Sequence, residues 1–131
     1  YIIDNKADYY RLLQEVRTKN NWEGWILYML KGIEQTAIKT IGQIKDINRL
    51  FTKTQEKIKK GLQKTYNKEL QEVLFEHPYC KIEYIINRLG VSRITATKYL
   101  KELESLGILQ SKKIWKETIY INTGLYNLLK K

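Results

Sequence analysis

The side chains able to do covalent or metal chemistry are few and scattered along this 131-residue chain. His77 is the only histidine and Cys80 the only cysteine. A single cysteine makes neither an intramolecular disulfide nor a zinc site, which suits a reducing, cytoplasmic setting; its expected role is that of a small buried apolar group. His77 has no Cys, His or carboxylate cluster around it in sequence and reads as a helix-end residue. The chain offers no nucleophile–base pair and no glycine-rich phosphate loop, so no catalytic residue and no cofactor is assigned to it. The pattern with chemical content is non-covalent. Ser92, Arg93, Thr95, Thr97, Lys98 and Lys101 crowd one short segment, and Lys112, Lys113 and Lys116 follow within a second. Basic and hydroxyl side chains at the start of a helix suit phosphates and base edges of double-stranded DNA.

The elements that must hold those residues are legible around them. Residues 81–89 predict a short amphipathic helix with Ile82, Ile85, Ile86 and Leu89 inward. Gly90 can take the left-handed conformation that ends a helix, Val91 plugs the turn, and Ser92 caps the next helix through its hydroxyl. That helix, from about Arg93 to Leu106, puts Ala96, Leu100, Leu103 and Leu106 toward a core. The basic and hydroxyl residues then fall on its other face, which also carries Glu102 and Glu104. Gly107 stops it. A hairpin comes after it, turning near Ile114–Glu117, with Thr118, Tyr120 and Asn122 alternating against Ile119 and Ile121. A short helix over 123–129 closes the chain. Helix, glycine turn, helix and hairpin in this order predict a winged helix-turn-helix whose second helix enters the major groove and whose hairpin lysines touch phosphates.

The first half predicts helices only. Residues 6–18 carry Tyr9, Leu12, Leu13 and Val16 at helical spacing, with Asn5 or Asp8 as the cap. From Trp22 to about residue 60 apolar residues recur every three or four positions, through Ile26, Leu30, Ile33, Ala37, Ile41, Ile44 and Phe51. Unbroken, this helix would be about 58 Å long; Gly32 and Gly42 are the places where it could divide, and Gly61 its stop. A helix over 66–76 precedes the His77–Pro78 turn. The expected fold class is mostly α, a long helical segment (1–64) followed by the winged helix-turn-helix with its small β-hairpin (65–131). Helix 6–18 is too short to cover the stripe from Trp22 to Phe51. Upstream sequence or a second copy, in a homodimer through residues 22–58, would have to bury it.

The bulk composition narrows the partners. The net charge is +10 with 43% hydrophobic residues, and no run of 18 apolar residues exists that could span a bilayer. Lysines outnumber arginines 19 to 5, so part of the charge serves solubility. The residues from 77 on nevertheless carry a net +6, more than the longer first part. That excess favours phosphate-bearing partners through counterion release. The start, Tyr1-Ile2-Ile3-Asp4, has neither an initiator Met nor the look of a signal peptide, as in a piece of a longer chain.

Asp8-Tyr9-Tyr10-Arg11-Leu12-Leu13, Val16-Arg17, Trp22-Glu23-Gly24-Trp25-Ile26 and Leu30-Lys31-Gly32-Ile33 together resemble the end of a Fic domain. Val91-Ser92-Arg93-Ile94-Thr95-Ala96-Thr97-Lys98-Tyr99-Leu100 is similar to the winged helix that many bacterial Fic proteins append. The resemblance implies a parent that transfers AMP from ATP, with magnesium, to protein hydroxyls. It implies no catalytic residue here. The family's active loop reads H-P-F-x-[DE]-G-N-G-R, whereas His77-Pro78-Tyr79-Cys80 shares two letters and then departs, and it comes after the Fic-like segment rather than before it. The active loop would lie upstream of Tyr1, and the Fic core would cover the apolar stripe. Two functions are thus expected to compete: a regulatory DNA-binding module, and a protein-recruiting or autoregulatory domain of the parent enzyme.

Overall fold

A computed structural model describes residues 1–131. Six helices and three short strands run in the order α1 (Lys6–Lys19), α2 (Trp22–Gly61), α3 (Lys68–Glu76), β1 (Tyr79–Cys80), α4 (Ile82–Leu89), α5 (Arg93–Ser105), β2 (Leu109–Ile114), β3 (Glu117–Asn122) and α6 (Thr123–Lys130). The chain is mostly helical, as expected, and neither Gly32 nor Gly42 divides α2. No helix is long and apolar enough to cross a membrane. The chain forms two compact units, 1–44 and 45–131. Their border falls inside α2 and not at the expected 64/65. The reason is packing: the last turns of α2 belong to the second core. Ile58 is fully buried there. The Phe51 and Phe75 rings meet at 5.0 Å, and the Gln71 amide on α3 donates to the Phe51 carbonyl at 2.7 Å.

In the first unit α1 folds back on the start of α2. Asn20 ends α1 in the left-handed region at φ 53°, and the Asn21 side chain accepts from the Gly24 amide at 3.4 Å at the start of α2. At the other end of α1 the expectation fails. Asn5 takes the cap position without a capping bond; its amide donates instead to the Tyr1 carbonyl, and Asp8 pairs with Arg11. Aromatic contacts Tyr9–Trp25, Trp25–Tyr28 and Tyr1–Tyr28 cover one side of α2, and Leu12 and Tyr28 are buried. The other side is uncovered: Ile26, Leu30, Ile33, Ile41 and Ile44 are each more than half exposed. An open apolar groove of about 720 Å³ lies there, lined by Met29, Ile33, Ala37 and Ile41 together with Tyr1 and Ile3.

The second unit is built around Ile58, Leu70, Val73, Leu74, Ile85, Ala96, Leu100, Leu103, Ile108, Leu109 and Tyr120. Each Leu or Ile so buried contributes about 1.5–3 kcal/mol of transfer free energy. Asn67 starts α3 by accepting from the Glu69 and Leu70 amides. The α4–α5 turn obeys local rules closely. Gly90 sits at φ 67° and donates to the Ile86 carbonyl, and the Ser92 hydroxyl oxygen accepts from the Thr95 amide at 3.2 Å. Gly107, at φ 78°, closes α5.

The sheet departs from a plain hairpin. It has three antiparallel strands in the order β1-β3-β2. Tyr79 and Cys80, which follow the expected His77–Pro78 turn, pair with the central strand, Tyr79 with Ile121 and Cys80 with Tyr120. β3 also turns its polar alternation inward: Tyr120 and Asn122 are buried while Ile119 and Ile121 are half-buried. Asn122 is satisfied there. Its side chain donates to the Leu74 carbonyl at 3.0 Å and accepts from the Leu125 amide, capping α6. An amide bonded through both its nitrogen and its oxygen is tolerated in a core where an unpaired one costs about 1–3 kcal/mol.

Candidate nucleic-acid interface

Helix α5 sorts its residues cleanly. Ala96, Leu100 and Leu103 are sealed in the core, which fixes the opposite face toward solvent by the 3.6-residue period. An open groove of about 720 Å³ runs along that face, lined by Arg93, Ile94, Thr97, Lys98, Lys101, Glu102 and Ser105. Four of the residues singled out in sequence are therefore brought together: Arg93, Thr97, Lys98 and Lys101. Ser92 and Thr95 serve the helix start instead, with the Ser92 hydroxyl donating to Thr95 Oγ1 at 3.0 Å. The Thr97 hydroxyl donates to the Arg93 carbonyl at 2.8 Å.

The cations on this face are held loosely. Arg93 lies 3.4 Å from Glu83 on α4, and Lys98 lies 4.0 Å from Glu102. Such exposed pairs are worth about 0–1 kcal/mol and exchange readily for a phosphate. The two acids that weaken the positive field of α5 have structural duties. Glu102 accepts from the Thr65 hydroxyl. Glu104 accepts from both the Ser111 amide and its hydroxyl, at 3.1 and 2.7 Å. These bonds to Ser111 pull the Glu104 carboxyl below its ordinary range and fasten α5 to β2.

The hairpin lysines share an element but not a face. Lys112 pairs across from Ile119 and Lys113 from Thr118. The pleat puts Lys113 on the side of Ser111, which meets α5, and Lys112 on the other. Lys116 lies in the two-residue turn between Ile114 and Glu117. The one acid beside that turn, Glu117, is engaged by Lys81 at 3.2 Å. That contact raises the lysine's pKa, chiefly through the side-chain hydrogen bond.

Two exposed residues of these elements are not evident from the sequence pattern. Ile94 is 84% exposed and stands between the four polar residues of the α5 groove; the spacing 94, 97, 98, 101 was its signal. Trp115 is 94% exposed at the hairpin tip with φ 57°. A bulky residue in the left-handed region costs about 1–2 kcal/mol, and no pattern of alternation reveals it.

The remaining reactive side chains are structural. Cys80 is buried, and desolvation pushes its thiol up to about 12, which removes the thiolate needed for chemistry. His77 ends α3 and lies against Tyr79 and Tyr84, with ring centres 5.7 and 5.9 Å away. Strand β1 comes after Pro78 where a phosphate-cradling loop would be needed, and no three His, Cys, Asp or Glu side chains gather to hold a metal. These residues do not fit a nucleotide–magnesium site.

Residues 50–125 match the family model described as protein adenylyltransferase SoFic-like, C-terminal domain. The match takes in the last turns of α2, the helical core, the α4–α5 turn and the whole sheet. It covers more than half of the chain, which therefore belongs to the SoFic-like family of protein adenylyltransferases through that family's C-terminal domain.

Proposed function

We propose that the second unit is a winged helix-turn-helix that binds double-stranded DNA. On this reading it is a cytoplasmic, non-catalytic module through which a Fic-family protein adenylyltransferase is tied to regulation of transcription. The observation that carries it is the α5 groove: Arg93, Lys98 and Lys101 line one open face whose opposite side is locked in the core. The β2–β3 hairpin acts as the wing, with Lys112, Lys113 and Lys116 on phosphates, while Ser92 and Thr95 shape the helix start that approaches the base edges. Any need for ATP and magnesium belongs to the catalytic part of the parent.

Fluorescence anisotropy against a random-sequence duplex, titrated with salt, tests this. Affinity is expected to fall with a log–log slope near −0.9 per phosphate contacted. The double substitution R93A/K98A is expected to weaken binding about 10-fold or more. Binding that ignores both salt and R93A/K98A overturns the reading.

A second reading rests on a different observation, the uncovered apolar side of α2. It makes the chain a recruitment or autoregulatory domain of the parent AMP-transferase. The Fic core, or a second copy paired through residues 22–58, then covers that side. Capture of the Fic core by the isolated chain, unaffected by R93A/K98A, would favour it.

A further inference from the structure

We infer that Trp115 is a nucleobase-contacting residue, its indole held out at the tip of the β2–β3 hairpin to stack on the face of a base. The inference rests on the nucleic-acid reading above and deepens it.

Neither the core nor the turn accounts for a tryptophan at this position. Trp115 is 94% exposed, more than any other large apolar side chain of the protein, so burial contributes nothing to keeping it. Its φ of 57° belongs to a conformation that Asn or Gly takes with less strain in a two-residue hairpin turn. Strain of this kind, retained by a residue that folding does not need, points to a use outside the fold.

The surroundings select the ligand. Lys116 follows the indole directly, Lys113 precedes it by two residues beyond the exposed Ile114, and Glu117 is drawn to Lys81. The tip thus presents a flat π-surface among cations, complementary to a base between phosphates. An acidic or apolar protein surface would match only half of that set. The support is stiff. Six cross-strand pairs run from Leu109–Asn122 to Ile114–Glu117, and Ser111 is tied to Glu104 of α5. An indole has two side-chain torsions to order, so little freedom is lost on stacking. The base can come from a duplex step that the indole partly unstacks, or from an unpaired strand.

The test uses the 131-residue chain with a labelled 20-base-pair duplex and a labelled 20-nucleotide single strand at low salt. Wild type is compared with W115N, W115F and K113A/K116A by anisotropy and by intrinsic tryptophan emission. Asparagine tolerates the left-handed turn, so W115N is expected to keep or raise Tm, and lost binding cannot be lost folding. Expected is a quench of emission on binding that W115N abolishes in large part. With it goes a roughly 10-fold loss of affinity on the arm that supplies the base, which W115F partly restores. K113A/K116A should lower the salt slope and keep the quench at saturation. Loss on the duplex arm assigns the contact to an unstacked base step; loss on the single-strand arm assigns it to unpaired bases. If W115N binds both oligonucleotides like wild type with an unchanged quench, the inference fails while the DNA reading stands. If wild type binds neither, both fail.

Discussion

Two helical faces of this protein are open to solvent and differ in the charge of the residues that line them. Along α2 the groove is lined by Met29, Ile33, Ala37 and Ile41; along α5 three cations, Arg93, Lys98 and Lys101, line it with Glu102, Thr97, Ser105 and a single isoleucine. An exposed apolar stripe is unfavourable in water and gains from any cover in proportion to the area removed. A charged face is already well solvated, and it gains chiefly by releasing counterions from a polyanion. Openness alone therefore says nothing about partners. The response to salt would separate partners of the two faces, because screening weakens ionic association and excluded salts strengthen apolar association.

The largest way to break this comparison is to remove what stands behind α5. Leu100 is fully buried, and Leu100→Ala is expected to destabilise the second unit by about 2–5 kcal/mol in chemical denaturation. Its counterpart on α2, Ile33→Asp, replaces a side chain that is 63% exposed. It should leave denaturation within about 0.5 kcal/mol of wild type while reducing the binding of a hydrophobic dye. Comparable losses of stability from both substitutions would refute the asymmetry between the faces.

A smaller effect concerns how α5 begins. The Ser92 hydroxyl caps the Thr95 amide, so Ser92→Ala should cost about 1 kcal/mol. A cap lost without a fall in Tm would remove Ser92 from its structural role and leave it only a ligand-facing one.

The smallest effect is expected at Glu104. Its carboxyl is held below the ordinary range by Ser111. A depressed folded value stabilises the protein above the unfolded pKa, and the contribution is lost as pH falls through the folded one. Melting curves between neutral pH and about pH 3 should show wild type losing an acid-sensitive increment that Glu104→Gln lacks. Identical pH profiles would mean that the tie from α5 to β2 carries no charge dependence.

The recognisable parts of the candidate site are those whose causes lie within a few residues. Gly90, Ser92 and the spacing Ala96–Leu100–Leu103 each act through the nearest turns of helix, so the α4–turn–α5 unit, its cap and its buried face could be read before any packing was known. The same holds for Gly107 and for the turn between Ile114 and Glu117. What could not be read depends on partners far along the chain. β1 exists because Tyr79 and Cys80 meet Ile121 and Tyr120 across some forty residues. Asn122 turns inward because the Leu74 carbonyl waits there. That Thr65 and Ser111 donate to Glu102 and Glu104 of α5 is likewise set by the fold.

By itself the sequence determined the helical periods, the two glycine stops of the turn and of α5 and the basic bias after residue 77, since each arises from residue type and near-neighbour spacing. Tertiary structure alone decided that Thr65 bonds Glu102, that Tyr79 and Cys80 join the sheet, that Asn122 is drawn to the Leu74 carbonyl, and where the compact units divide within α2. Those outcomes turn on distances between residues remote in sequence, and no local pattern encodes such distances.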